Sequence, residues 1–142
     1  MYYQNNPKWK DKPLNNSVMT IGQVGCLLTA LCNVYLEKNP DCPLTPSDLN
    51  TLLIKNKGYT QNNLIIWSVA SEILDMDIQH IYTGEIEYDV NAFYIVNFLN
   101  FGVGHFTNLI SKDGDKYYIY DVWDDTFRVI DKPRRLVKID YR

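Results

Sequence analysis

The chain has 142 residues, 46% of them hydrophobic and 22% charged, and its 14 Lys+Arg against 17 Asp+Glu give a formal net charge of -3. That size suits one globular domain, 1-142, and without a basic excess no nucleic acid is expected as a partner. No apolar run reaches the roughly 20 residues that cross a bilayer, and the polar Met1 to Lys12 does not read as a signal peptide. The expectation is therefore no membrane span and a protein cytoplasmic when made, released by lysis or carried in a particle if it acts elsewhere.

From Met1 to Gly25 the chain is rich in Asn, Pro, Lys and aromatics without sustained periodicity, which predicts an extended lead-in over the domain, pinned by Trp9. Cys26 to Leu36 is apolar on nearly every side, so it predicts a helix buried through the middle of the fold, with Cys26 in its first turn. The three prolines between Asn39 and Pro46 make a loop. Thr45-Pro46-Ser47-Asp48 then opens a second helix with an N-cap, a proline at the first position and an acid in the first turn, and Gly58 closes it. A third helix is expected from about Asn63 to Asp75.

The second half reads as strands: Ile78 to Tyr82, Ala92 to Leu99, His105 to Ile110, Tyr117 to Val122 and Phe127 to Ile130 are short runs rich in β-branched and aromatic residues. A hairpin turning at Asp113-Gly114 makes residues whose numbers sum to about 227 face each other, which sets His105 opposite Val122 and beside Asp121. The fold class is α+β, with N-terminal helices packed on a C-terminal antiparallel β-sheet.

Three residues could carry chemistry. Cys26 at a helix N-terminus sits among unpaired amides at the positive end of the helix dipole, where nucleophilic cysteines are found, and Gly25 leaves approach to the sulfur open. His105, in Gly102-Val103-Gly104-His105, has room to face a cleft, and Asp121 can fix its tautomer. Each alone is equally ordinary structure. Together they are the nucleophile, base and orienter of thiol acyl transfer. Cys32 falls inside the buried helix and Cys42 in the proline loop; an odd cysteine count in a domain of this size points to thiols, not a disulfide framework. His80 reads as a surface or cross-strand residue. Trp123-Asp124-Asp125 could edge a cleft, and Lys132-Pro133-Arg134-Arg135 reads as a solvated turn. No C-x-x-C pair or helical His spacing suggests a metal, and no cofactor is implied.

Tyr3-Gln4-Asn5-Asn6-Pro7-Lys8-Trp9, Thr20-Ile21-Gly22-Gln23-Val24-Gly25-Cys26, Leu44-Thr45-Pro46-Ser47-Asp48-Leu49, Gly104-His105-Phe106 and Tyr120-Asp121-Val122-Trp123, in that order, resemble the C39-like peptidase family of papain-fold cysteine peptidases. The resemblance implies a papain-like fold, with Cys26 as nucleophile, His105 as base and Asp121 as its orienter. Two glutamines compete for the oxyanion hole beside the Cys26 amide: Gln4, which is similar to the glutamine of the family's opening motif, and Gln23, less favoured, which would instead stabilise the turn. Gly25, Gly104 and Trp123 are expected at the substrate cleft. The implied activity is hydrolysis of a peptide or isopeptide bond, with a peptidoglycan stem peptide as one candidate substrate and a phage or bacterial source as the setting. The competing readings are a non-catalytic papain-like binding or virion module, and an acyl-transfer or deamidase effector on the same residues.

Overall fold

A computed structural model describes residues 1–82 and 87–142. Helices come first: α1 (Ile21–Val24), α2 (Cys26–Lys38), α3 (Pro46–Lys55) and α4 (Trp67–Leu74). Strands follow: β1 (Met76–Ile81), β2 (Phe93–Asn100), β3 (Val103–Asp113), β4 (Lys116–Asp121), β5 (Thr126–Ile130) and β6 (Arg135–Tyr141). The strands form one sheet in the order β1-β6-β2-β3-β4-β5, with every pairing antiparallel. The fold is α+β.

Strand alternation divides the core. Ile95 of β2 and Val137 and Ile139 of β6 point to the face that carries the helices, where they meet Leu28, Leu31, Leu49, Leu53 and Leu74. Tyr94, Val96, Phe98 and Leu136 alternate with them and form a smaller cluster with Ile119 on the other face. β2, buried on both faces, is correspondingly a near-continuous apolar run.

α2 begins at Cys26 as expected and buries Leu28 through Val34. α3 begins as expected too: Thr45 accepts from the Asp48 amide and Asp48 answers the Thr45 amide, with Pro46 inside the first turn. Its end differs. The cap is Asn56, Lys57 takes the left-handed position at φ 56°, and Gly58 lies one residue further, its N–H returning to the Leu53 carbonyl at 2.7 Å. Gly58 is small for a different reason, since a Cβ there would stand 2.6 Å from the Leu53 side chain.

Four further expectations are corrected. The lead-in is extended only at its start; it then winds through turns, and Ile21–Val24 form the short helix α1, capped by Thr20. α4 starts at Trp67, not near Asn63, because Asn63 adopts φ 63° and Tyr59 bridges Ile65, folding the intervening residues into a loop. Arg135 opens β6, which lies between β1 and β2, one strand in from the edge of the sheet, so the Lys132 to Arg135 stretch leads into an interior strand. The β3–β4 hairpin turns at Gly114-Asp115, one residue later than the Asp113-Gly114 turn expected, with Asp113 pairing Lys116; an extra residue, Ile110, then bulges between Leu109 and Ser111, so that Asn108 pairs Tyr120.

Candidate active site

The lead-in is tied down at both sides of Gln4. Tyr2 N–H donates to Asn33 of α2 at 2.5 Å, and the Gln4 amide donates to the Val122 carbonyl just beyond β4 at 2.7 Å. Trp9 is buried, with its ring edge on Tyr2 and its indole N–H on the Tyr3 carbonyl, which is the pinning role expected of it. The Gln4 side chain is 1% exposed, and its Nε2 donates to the Gly22 carbonyl at 3.0 Å, while its Oε1 is buried without a partner. Gly22 has no room for a side chain, because a Cβ there would sit 2.9 Å from both Asn5 and the Lys10 carbonyl.

Gly25 joins α1 to α2, and a Cβ on it would meet the Ile21 carbonyl at 2.4 Å. It is buried behind the nucleophile and is not among the residues that line the cleft, so its smallness serves the helix junction and not the approach to sulfur. Cys26, partly exposed, does line that cleft, in the first turn of α2.

His105 and Asp121 come from adjacent strands. Continuing the Asn108–Tyr120 register sets Thr107 across from Asp121, so Asp121 falls on the face shared by Thr107 and His105, diagonal to the imidazole. His105 Nε2 and Asp121 Oδ1 are 2.7 Å apart, with the two residues 7% and 1% exposed. The carboxylate also accepts the Trp123 amide at 3.0 Å and lies 3.7 Å from Arg128 Nε. Thr107 fastens the strand end: its hydroxyl donates to the Tyr120 carbonyl and accepts from the Val122 amide.

Burial alone would depress His105, but hydrogen bonds to Asp121 and to the Cys26 thiol, and then the charges of both, raise its pKa from 6.5 to about 9. Burial would likewise raise Asp121, and the bonds from His105 and the Trp123 amide, with the charges of His105 and Arg128, bring it below its ordinary value instead. With Nε2 committed to Asp121, the other ring nitrogen, Nδ1, is the one left for the thiol. The direction of both shifts is that of an imidazolium paired with the Asp121 carboxylate.

The cleft over these residues encloses about 610 Å³. Gly104 and Trp123 line it as expected, as do Gln4, Gln23 and Asp124. Gln23 is exposed and already engaged, its amide and side chain closing a reciprocal pair with Thr20. Asp125 turns away to accept the Tyr120 hydroxyl. Sequence reasoning missed Arg128, whose guanidinium also lies 5.4 Å from the Phe98 ring, and Phe101, which stands 97% exposed at the cleft rim with φ 51°. Only strand order could have placed Arg128; for Phe101 the signal was the Phe101-Gly102 pair in a two-residue turn, where both residues take positive φ.

The remaining candidates lie elsewhere. Cys32 is fully buried, which pushes its thiol well up, and Cys42 is exposed. His80 pairs Val137 across β1–β6 and meets Trp67 edge-on, with burial and then Arg135 lowering its pKa. Among the described residues no three His, Cys, Asp or Glu side chains converge as a metal site. The chain matches no protein-family model and no curated protein.

Proposed function

We propose that the protein is a cysteine peptidase or amidase of papain-like fold, similar to the C39-like peptidases, that cuts an amide bond of a peptide substrate through a thioester on Cys26. The observation that supports it best is the buried His105–Asp121 pair, 2.7 Å apart, beside the cleft that Cys26 and His105 both line.

The Cys26 sulfur, its proton held on His105, attacks the carbonyl carbon, forming the C–S bond and placing negative charge on the oxygen. That oxyanion is met by the Cys26 amide, at a helix end where N–H groups lack intrahelical partners, and by the second Nε2 hydrogen of Gln4. The C–N bond breaks as His105 returns the proton to the leaving amine. Water then gives a proton to His105 and attacks the thioester, releasing the acid and restoring the thiol. Asp121 keeps the imidazole oriented throughout. Gln4 is preferred to Gln23 because Gln23 is occupied in capping α1.

Iodoacetamide mapping at pH 7 tests the reading, with the exposed Cys42 as an internal reference. Cys26 is expected to react at least about tenfold faster than Cys42 and to lose that advantage in His105→Ala. A Cys26 no faster than Cys42 would leave the cleft as a binding site. Peptidoglycan stem peptides remain the first substrate to try, by release of new amines from purified sacculi; no release with alkylation-competent enzyme would exclude them.

A further inference from the structure

Beside the cleft lies a second cavity of about 310 Å³, lined by the cations Arg128, Lys132 and Arg134 over a floor that includes Phe98 and Ile130. We propose that it is a subsite for a carboxylate of the peptide substrate, close to the bond that is cut. The inference rests on the peptidase reading and deepens it to a substrate class, an acidic peptide.

Three contacts join the cavity to the reacting groups. Arg128 lines both cavities. Phe98 lies edge-on to His105 with ring centres 5.5 Å apart. Arg134 Nη1 covers Gly104, occupying a position 2.9 Å from where a Cβ would stand, so the residue before His105 is kept bare by this guanidinium.

Two of the three cations of the cavity carry unspent charge. Its one acid, Asp131, is 2.7 Å from Lys116, which lies outside the lining. Arg128 shares Asp121 at 3.7 Å, whereas the side chains of Lys132 and Arg134 have no acidic or hydrogen-bonding partner among the described residues. Three cations converge in this way on a chain whose net charge is -3. A guanidinium fork matches a carboxylate with two parallel N–H···O bonds. Lys132 adds a mobile point charge. The carboxylate can come from an Asp or Glu side chain or from a chain terminus.

Protection of Cys26 from iodoacetamide reads binding without requiring turnover. The probes are random decapeptide pools lacking Cys: one rich in Asp and Glu with amidated ends, one with Asn and Gln in their place, and one of the latter with free C-termini. At millimolar peptide the acidic pool or the free-terminus pool is expected to slow alkylation at least about threefold over the amide pool at low salt. Whichever of the two protects identifies the source. The preference should vanish in Lys132→Glu/Arg134→Glu and in the milder Lys132→Gln/Arg134→Gln. Equal protection by all pools, or none, overturns the subsite even if mapping of cleaved peptides shows a working peptidase. Conversely, selective protection without any cleavage upholds the subsite and rejects the peptidase.

Discussion

Replacing Asp121 with Asn keeps the shape of the side chain and its bond to the Trp123 amide while removing the charge that faces His105. His105 stands at about 9 against an ordinary 6.5, and at about 1.4 kcal/mol per pH unit the imidazolium is favoured by roughly 3 kcal/mol after burial has been overcome. The hydrogen bond to Asp121 is the largest of the causes that act in that direction, so a large part of that preference should go with the carboxylate. Without that charge, burial and the newly unopposed Arg128 both push the other way, and the midpoint should fall to about 7 or lower. Nitrogen-15 NMR titration can read this directly, because the chain has two histidines and His80 serves as the reference. Stability follows with a defined sign: the His105 contribution is complete below pH 6.5 and disappears as the pH rises through about 9. The destabilisation expected of Asp121→Asn at pH 7 should accordingly shrink above pH 9. A His105 midpoint that stays above about 8.5 in the variant would refute the assignment of its charge to Asp121.

Further outcomes separate the roles of other residues. Gln4→Ala should lower kcat about 10²-fold with little change in KM, as loss of an oxyanion donor does, whereas Gln23→Ala should cost about 1 kcal/mol of stability through the lost α1 cap and leave kcat within a few-fold; steady-state kinetics and thermal melts on both variants decide between the two glutamines. Phe101→Asn relieves a bulky left-handed residue and should raise stability by about 0.5–1 kcal/mol, a Tm gain of roughly 2 °C by calorimetry, and an unchanged or lower Tm would contradict the strain. Leu31→Ala, at a fully buried position of α2, should cost about 2–5 kcal/mol in urea unfolding. Acid should weaken the fold through Asp121, whose lowered pKa supports stability above pH 3.8 and withdraws it as the pH falls further; a melt insensitive to pH below 4 would contradict this.

What could be read from the sequence was what local chemistry decides. The Thr45–Asp48 cap and the uniformly apolar stretch after Cys26 specify helices by themselves, and both stand where expected. The Thr20-x-x-Gln23 spacing is also a capping box, so the rivalry between the two glutamines had a local clue in the sequence. β6 was hidden because Pro133-Arg134-Arg135 looks like a solvated turn, although Leu136, Val137 and Ile139 carry the apolar residues of a strand. Arg128 could not be found from β5 alone: its position depends on which strand β5 pairs with and in which register, and both are long-range facts. Gln4 is the reverse case. Its place in the sequence is 22 residues from Cys26, and only the Tyr2–Asn33 and Gln4–Val122 bonds explain how it returns to the cleft.

The extra residue at Ile110 makes the position of Asp121 a matter of parity. Below the bulge, paired residues of β3 and β4 sum to 229, as in Asp113 with Lys116; above it they sum to 228, as in Asn108 with Tyr120. With an odd step removed, Asp121 would stand across from Asn108 and present its carboxylate to the helices, and Tyr120 would turn out toward His105. A relative that keeps Gly-His-Phe and Tyr-Asp-Val but loses one residue between Leu109 and Ser111 would therefore align perfectly and still lack the acid. Counting the residues of this hairpin is a better test for the shared site than matching its letters.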